Sequence, residues 1–305
     1  MSSHERRQPH WSRRSPERVA CAPCPLCGSP ARRIFAKGQY WICDCEVCSH
    51  RFAEIADTEG HITRVYGDQY FAGNGYGYID YLSEGDLLVR HGARYASLLK
   101  RYLQPGTILD VGAAAGFILK GYEEMGWRGS GIEPNPGMAE YARRRLGLKV
   151  ETGTLESSQR NCCYDVVSMI QVVAHLVEPR AALAAAARLT NPGGFLLIET
   201  WNKESWTARV FGKSWHEYSP PSVLHWFSRE SLRRVVEALG FQEVAHGRPT
   251  KWIRPSHAKS IGRNELGRTM IGAAIRTIAG SVPERLAIPY LADDIFWALY
   301  RGSAR

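Results

Sequence analysis

Four cysteines close to the start of the chain have the spacing of a metal site. They form two Cys-x2-Cys pairs, Cys24 with Cys27 and Cys45 with Cys48, and 17 residues separate the two pairs. Two tight turns that each supply two thiolates satisfy the tetrahedral geometry of zinc and leave no coordination position open for catalysis. The pattern therefore predicts a structural zinc ribbon over residues 21–56, in which the metal supplies folding energy that so short a segment lacks.

The other cysteines compete for the metal or stand apart from it. Cys21 precedes Cys24 by the same spacing, and Cys43 lies two residues before the second pair, so both remain alternative ligands. Cys162 and Cys163 come just before a strand and are predicted to be ordinary residues. Because the eight cysteines occur without the apolar stretch of a secretory signal, the composition favours metal binding or free thiols over disulfides.

A second group of residues, in the middle of the chain, has the pattern of a nucleoside site. A buried strand ends near Asp110 and runs into the small-residue turn Gly112–Gly116, which opens a helix at Phe117. Small residues allow a close approach of the backbone to a ligand, and the helix N-terminus offers unpaired N–H groups. Glu133 ends the next strand, where a carboxylate can accept hydrogen bonds from both ribose hydroxyls.

Short strands alternate with helices around this turn. Helices are predicted at 86–102, 117–125, 138–146, 180–189 and 228–239, and strands at 107–111, 129–132, 149–152, 164–170, 195–200, 241–246 and 294–300. Such alternation implies right-handed crossovers between parallel strands. We therefore expect a doubly wound, Rossmann-like α/β sheet, mainly parallel with an antiparallel last strand, attached to the small N-terminal ribbon.

The turn fits the dinucleotide fingerprint G-x-G-x-x-G poorly, because Ala114 stands at its middle position. It resembles motif I of the class I S-adenosylmethionine-dependent methyltransferases, usually written L-D-x-G-x-G-x-G. The resemblance implies that Gly112–Gly116 cradles the methionine part of S-adenosylmethionine, that Asp110 supports it and that Glu133 holds the ribose. Ala114 replaces the central glycine of the family, and its small side chain predicts modest crowding.

Three further segments resemble the family in the expected order. They are 153–156, where the family contacts adenine, 164–176, similar to F-D-x-V-x-x-x-x-x-x-E-H-L, and 191–198, similar to L-x-P-G-G-x-L-x-I. The resemblance runs from about residue 86 to 300. It implies that Thr154, Leu155, Gln171 and Phe117 join the cofactor site.

Two histidines are candidates for the general base that a hydroxyl acceptor would require. His175 occupies the place of the family's E-H-L histidine, although Ala174 replaces the preceding glutamate. His225 lies in a loop that resembles the family's H-L-x-x-F-S segment and is expected to face the acceptor. A hydrogen-bonding role in a turn is the alternative for each histidine.

The connector at 57–85 is rich in tyrosine and glycine. Its segment Tyr66–Phe71, preceded by a ribbon and followed by a class I domain, resembles bacterial methyltransferases of small molecules, often sugars, polysaccharides or secondary metabolites. This resemblance implies a small-molecule acceptor, methylated most readily on oxygen. The tyrosines either close over the cofactor or pack between ribbon and domain.

The net charge of +9 sits at the two ends of the chain. Residues 1–20 contribute +3 and residues 248–305 contribute +6, whereas the stretch between them carries 24 basic and 24 acidic residues. A basic groove for nucleic acid is therefore not predicted. An RNA or protein methyltransferase, and a zinc-ribbon scaffold with a vestigial cofactor site, remain the alternatives.

The remaining expectations concern organisation and location. Residues 1–20 are predicted to be a disordered basic tail, and residues 86–305 the methyltransferase domain, with a helical insertion at about 254–289. One face of that insertion is apolar and its flanks are basic, so weak contact with a membrane surface is an alternative to packing as a lid. No apolar run is long enough to cross a bilayer, and a cytoplasmic location is expected.

Overall fold

The computed structural model describes residues 21–55, 58, 60–71, 81–158, 162–253, 288–290 and 292–304. The predicted basic tail, the glycine-rich part of the connector at 72–80 and residues 254–287 of the predicted helical insertion lie outside the described residues. The last two residues of that insertion, 288 and 289, belong to a strand instead of a helix, because they pair with the strand that precedes the insertion.

The N-terminal module is an antiparallel sheet built around the cysteine turns. Its strands are β1 (Ala31–Lys37), β2 (Tyr40–Cys45) and β3 (Arg51–Glu54). The connector follows with α1 (His61–Val65) and α2 (Asp68–Phe71), and then the first long helix, α3 (Gly85–Leu99).

The larger domain alternates strands and helices, as its sequence predicts. Its elements, in chain order, are β4 (Thr107–Val111), α4 (Phe117–Glu124), β5 (Arg128–Glu133), α5 (Pro136–Leu146), β6 (Val150–Thr152), β7 (Tyr164–Ile170), α6 (Pro179–Arg188), β8 (Thr190–Trp201), α7 (Trp206–Phe211), β9 (His225–Trp226), α8 (Arg229–Glu237), β10 (Phe241–Gly247), β11 (Lys251–Ile253), β12 (Ile288–Tyr290) and β13 (Ile295–Gly302).

The main sheet has seven strands in the order β10-β13-β8-β7-β4-β5-β6. Strands β4 to β8 run parallel, whereas β13 pairs antiparallel with both β8 and β10. The chain winds outward from β4 in one direction and then from β7 in the other, so the topological switch point lies between these two strands. Ligands of open α/β sheets bind at the carboxyl ends of the strands at such a point.

Helices cover both faces of this sheet. Ile108 of β4 packs with α3 and α4 on one face, whereas its neighbour Leu109 packs with α6 and α8 on the other. Helices α3 and α4 approach closely because a Cβ at Gly92 would lie 2.2 Å from the backbone oxygen of Ile118, and one at Gly121 equally close to that of Val89. The prediction of a doubly wound, mainly parallel sheet is confirmed.

The ribbon is joined to the larger domain by a strand that the sequence did not predict. Strand β9 pairs antiparallel with β3, with Phe52 opposite His225, and extends the ribbon sheet to four strands. The Ala53 N–H also donates to the Leu224 carbonyl oxygen at 2.8 Å. Phe52 and Phe227 then enter the same buried cluster as Leu232 and Val236 of α8, so the ribbon core continues into the domain core.

Among the described helices, none is long and apolar enough to cross a membrane.

Candidate active site and metal centre

The four predicted zinc ligands meet at one end of the ribbon. The sulfur atoms of Cys24, Cys27, Cys45 and Cys48 all lie within 4.8 Å of one another. Cys27 Sγ is 3.5 Å from Cys45 Sγ and 3.4 Å from Cys48 Sγ. Four thiolates bound tetrahedrally at about 2.3 Å from a zinc ion lie about 3.8 Å apart, which is slightly farther than these separations but close to them. The chemistry of the donors fits a closed structural site.

Both cysteine turns have the same backbone design. The N–H of Cys24 donates to the Ser29 oxygen, and the N–H of Cys45 donates to the His50 oxygen, each at 2.9 Å. The residue after each pair has a left-handed backbone, with φ of 72° at Gly28 and 59° at Ser49. The two turns therefore form similar loops that direct their sulfur atoms to a common centre.

The preference for free thiols over disulfides is wrong for two cysteines. Cys21 and Cys43 form a disulfide with Cα atoms 6.6 Å apart. The physical reason is that the segment before the first turn folds back along the sheet, where the Cys21 N–H donates to the Ala31 oxygen at 3.3 Å. This bond removes both residues from competition for the metal.

The glycine-rich turn leaves β4 and passes into α4 with three left-handed residues. Gly112 has φ of 66°, Ala114 of 47° and Gly116 of 84°. Ala114 thus adopts at the central position a conformation that favours glycine, which explains why the family's pattern has glycine there. The turn is positioned against the sheet because the N–H groups of Gly112 and Ala113 both donate to the Ile132 oxygen.

Glu133 lies directly beside this turn, at the end of β5. Its carboxylate accepts hydrogen bonds from the Ala114 N–H and the Asn135 N–H, each at 2.8 Å, and only 3% of the residue is exposed. These bonds fix the orientation of the carboxylate at the strand end. The remaining lone pairs of its oxygens are the acceptors that a ribose would require.

Asp110 is the second buried acid of the turn. Its Oδ1 accepts a hydrogen bond from the Ser168 hydroxyl at 3.2 Å, and 2% of the residue is exposed. Burial, with a smaller contribution from the Glu133 charge, raises the pKa of Asp110 to about 7. Burial also raises the pKa of Glu133. Two buried carboxyl groups beside one turn favour a ligand that carries positive charge.

The other predicted cofactor residues fall on the same edge of the sheet. The loop at Thr154 and Leu155 is tied to this edge because the Gly153 N–H donates to the Glu133 oxygen at 2.9 Å. Leu155 is buried, and Thr154 forms a local hydrogen-bonded turn with Ser157. Phe117 is also buried and stands 5.8 Å, ring to ring, from Tyr81 of the connector.

The connector covers the turn. Phe71 and Tyr81 pack in one buried cluster with Ala114 and Ala115, and Tyr70 borders it. Of the two alternatives for the connector, these contacts favour closure over the cofactor turn. Tyr76 and Tyr78 of the connector lie outside the described residues.

Asn135 and Tyr66 connect the turn to the predicted base. The Asn135 amide donates to the Tyr66 backbone oxygen at 3.0 Å, while its side-chain oxygen caps α5 by accepting from the Met138 N–H. The Tyr66 hydroxyl donates to the Ser222 oxygen at 2.5 Å and lies 3.3 Å from His175 Nδ1. One aromatic residue therefore contacts both the loop that follows Glu133 and His175.

His175 has one ring nitrogen fixed and one available. Its Nδ1–H donates to the Ser222 carbonyl oxygen at 2.6 Å, which leaves the lone pair on Nε2. No hydrogen bond to Nε2 occurs within the part of the chain that the structure describes, and this atom does not belong to the fully buried, unpaired groups. Burial lowers the pKa of His175, so the ring is neutral at neutral pH.

His225 has a different environment, between the ribbon and the domain. Its Nε2–H donates to the Leu176 oxygen at 2.8 Å, and its Nδ1 accepts from His50 Nε2 at 3.0 Å. The residue is 3% exposed, and burial lowers its pKa to about 4. Both ring nitrogens are therefore engaged, which corresponds to the alternative role of hydrogen bonding within a turn.

Gln171, which the resemblance assigns to the cofactor site, follows β7 at the switch point. It has a left-handed backbone, with φ of 58°, and its N–H donates to the Glu199 oxygen at 2.9 Å. Its neighbour Val172 reaches the cofactor turn, because a Cβ at Gly112 would lie 2.7 Å from Val172 Cγ2. The strand end and the turn are therefore adjacent.

Several residues that contact the predicted site residues could not be singled out from the sequence patterns used above. These residues are Asn135, Ser168, Glu199 and Ser222 among the polar groups, with His91 and Tyr95 on α3. Asn135 could have been found, because asparagine before proline is a typical N-cap. The others depend on contacts between distant segments, for which the sequence carries no local signal.

Fold and site together define the class I, Rossmann-like methyltransferase architecture. The sequence profile of a family described as a methyltransferase domain matches residues 88–246, which is more than half of the chain. The chain belongs to this methyltransferase-domain family.

Individual proteins show the same likeness. A ubiquinone biosynthesis O-methyltransferase from Azorhizobium caulinodans is 31% identical over 156 residues, which cover 48% of this chain and 58% of that protein. The chain thus spans less than two thirds of the length of this relative.

Two solved structures share the fold. One is the complex between the Haloferax volcanii Trm112 methyltransferase activator and a putative methyltransferase, with a TM-score of 0.55 and 18% identity over 73% of this chain and 93% of that chain. The other is the YcgJ protein from Bacillus subtilis, with a TM-score of 0.50 and 15% identity over 70% of this chain and 99% of that chain.

Proposed function

We propose that this protein is an S-adenosylmethionine-dependent methyltransferase that methylates a hydroxyl oxygen of a small molecule. The observation that carries the proposal is the buried Glu133 carboxylate, fixed by two backbone N–H groups beside the left-handed turn Gly112–Gly116. The membership of the methyltransferase-domain family supports the same cofactor.

The cofactor supplies a methyl group already activated on a sulfonium, so the chain has to position the acceptor and exclude water. Glu133 would hold the ribose hydroxyls, and Asp110 with the turn would hold the methionine part. The packing of Phe71 and Tyr81 against Ala114 and Ala115 would exclude water from the turn. This division of roles agrees with the one that the resemblance implies.

His175 is the general base of this proposal. A neutral imidazole with Nδ1–H bound to a carbonyl presents an Nε2 lone pair that can accept the proton of a hydroxyl. The buried position of His225 and its two hydrogen bonds favour His175 over it.

For the acceptor we retain the predicted small hydroxylated molecule, of the sugar-like or secondary-metabolite kind. An oxygen acceptor is supported by relatives named O-methyltransferases. We also propose that Cys24, Cys27, Cys45 and Cys48 hold one structural zinc ion, and we retain the cytoplasm as the proposed location.

The proposed function is tested by calorimetric titration of the zinc-containing protein with S-adenosylhomocysteine, followed by methyl transfer to a panel of hydroxylated arenes and sugars. Micromolar binding and transfer to at least one hydroxyl are expected. A folded, metal-containing protein that binds neither S-adenosylmethionine nor S-adenosylhomocysteine would contradict the proposal and favour the scaffold alternative.

Cofactor affinity is expected to fall as the pH is lowered through about 7. The Asp110 pKa is raised to about 7 by burial, so below this pH the carboxyl is protonated and must lose its proton to face a cationic ligand. Because one proton is involved, the dissociation constant of S-adenosylmethionine should rise by up to about tenfold per pH unit below 7. Calorimetry in buffers of different ionisation enthalpy measures the released proton.

The Asp110→Asn variant is the control for this pH dependence. It keeps the side-chain shape and an acceptor for the Ser168 hydroxyl but cannot titrate. An unchanged pH profile in this variant would assign the proton to another group.

Replacing His175 by glutamine is expected to lower kcat by about 100-fold while leaving S-adenosylhomocysteine affinity within a few-fold of the wild type, because general-base catalysis contributes about 10²–10⁴-fold. The matched variant is His225→Gln, which should lower the melting temperature more than His175→Gln does, because it breaks the buried pair with His50. Steady-state kinetics and thermal denaturation of both variants provide the measurement. Full turnover by His175→Gln would exclude it as the base.

A further inference from the structure

A buried carboxylate on β8, the strand that pairs with β7, has no part in the roles assigned so far. Glu199, with 0% exposure, stands near the carboxyl end of β8. Its Oε2 accepts hydrogen bonds from the Tyr95 hydroxyl and, at 2.9 Å, from His91 Nε2, both on α3. Its Oε1 accepts from Gln171 Nε2 at 2.9 Å.

These bonds fix the orientation of the Gln171 amide. The Glu199 carboxylate accepts hydrogen bonds from three donors and can donate none, so the Gln171 amide presents its NH₂ group to it. The amide oxygen of Gln171 therefore points away from Glu199. Burial, together with the Glu199 charge, raises the pKa of Tyr95 far above its usual range, so this hydroxyl keeps its proton and remains a donor. Without Glu199 the amide could rotate and exchange its oxygen with its nitrogen.

The oriented oxygen is an acceptor without a donor. Gln171 Oε1 is buried and accepts no hydrogen bond from any residue in the described ranges. An unpaired buried acceptor is unfavourable, so it indicates a group that arrives with a ligand. The left-handed backbone of Gln171 is a second unfavourable feature at the same residue, and such features concentrate at functional sites.

The position of Gln171 indicates which ligand group this is. The residue follows β7 at the switch point, and its neighbour Val172 touches the Gly112 end of the turn that cradles the methionine part of the cofactor. That part carries an ammonium group, a charged donor.

We propose that Glu199, His91 and Tyr95 are positioning residues that aim the Gln171 amide oxygen at the α-ammonium group of the bound cofactor. The inference rests on the proposed function, since it assumes the same cofactor in the same turn. It adds α3 and β8 to the elements that build the site.

The test compares two ligands by calorimetric titration. S-adenosylhomocysteine contains the ammonium group, whereas 5′-methylthioadenosine contains the adenosine and sulfur but no amino-acid part. The Gln171→Met variant keeps the length of the side chain and removes the acceptor. It should bind S-adenosylhomocysteine about tenfold or more weakly, as expected for a lost hydrogen bond to a charged group. Its affinity for 5′-methylthioadenosine should stay within about twofold of the wild type.

Variants of the positioning residues should show the same ligand selectivity with a smaller loss. Glu199→Gln preserves the shape and allows the Gln171 amide to turn, and Tyr95→Phe removes one donor with little risk to folding. Ser97→Ala, at an exposed position on α3, is the control and should bind both ligands like the wild type.

Unchanged S-adenosylhomocysteine affinity in Gln171→Met would overturn the proposal. Equal losses for both ligands would also overturn it, because they indicate general damage to the site. Failure of the underlying function is a separate result, in which the wild-type protein binds neither ligand.

Discussion

Replacing Glu133 by alanine is expected to weaken S-adenosylhomocysteine binding by at least about 100-fold. The side chain would supply two charge-assisted hydrogen bonds to the ribose, each worth about 1.5–3 kcal/mol. It also holds the N–H groups of Ala114 and Asn135, at 2.8 Å each, so its removal loosens both loops that border the ligand. Calorimetric titration of the folded variant measures the loss.

Two further variants make this prediction specific. Glu133→Gln is expected to bind more weakly than the wild type but better than Glu133→Ala, since it retains an amide oxygen for one of the two backbone donors. Glu124→Ala removes an exposed carboxylate at the end of α4 and should leave affinity unchanged. If Glu133→Ala bound the ligand normally, the nucleoside site would have to lie elsewhere.

The second large effect concerns the metal. Replacing Cys45 by serine should reduce the zinc content from about one ion per chain to near zero and unfold the ribbon, because zinc contributes about 10–16 kcal/mol to the folding of isolated zinc-finger peptides. Cys45 is buried and its sulfur accepts from the N–H groups of Val47 and Cys48, each at 3.4 Å. Elemental analysis and thermal denaturation provide the measurement, with the exposed Cys163→Ser as the matched control.

Unfolding of the ribbon should also affect the active site, and it should lower turnover more than it lowers cofactor affinity. Strand β3 holds the Leu224 oxygen through the Ala53 N–H, and the N–H groups of Leu224 and His225 both donate to the Ala174 oxygen, next to His175. We expect the Cys45→Ser variant to lose turnover by a larger factor than affinity for S-adenosylhomocysteine, because Glu133 and its turn belong to the other side of the site. If the zinc-free variant kept normal stability and turnover, the structural role of the metal would be refuted.

Several elements were predictable because their signals are local. Strand β4 and strand β7 have the predicted bounds, since short apolar runs between turn residues define a buried strand. Ser228, the first residue of the predicted helix 228–239, caps α8, with its hydroxyl accepting from the Ser231 N–H at 3.1 Å. Strand β8 begins five residues earlier than predicted, because Thr190 already pairs with Tyr164 of β7; the register then shifts across the Pro-Gly-Gly segment, so that Phe195 pairs with Val166.

Other features depend on contacts between residues far apart in the chain. The disulfide of Cys21 with Cys43, absent from the expectation, arises from the way the first segment folds over the ribbon sheet. The strand β9 became recognisable only through its partner β3, because two residues carry too little pattern to predict a strand. Pairing between such distant segments is decided by the tertiary fold, and the same holds for the contacts that it brings to the site.

The sequence by itself determined the four thiolates, the glycine-rich turn with its acid at the next strand end, and the alternation that builds a parallel sheet. Spacing and periodicity carry these features, since each is encoded within a few neighbouring residues. Only the tertiary structure distinguished the two histidines and placed Glu199 against Gln171. Both outcomes depend on burial and on partners that are distant in the sequence, such as His50, which lies 175 residues from His225. The packing of the helices and strands decides which of these residues meet.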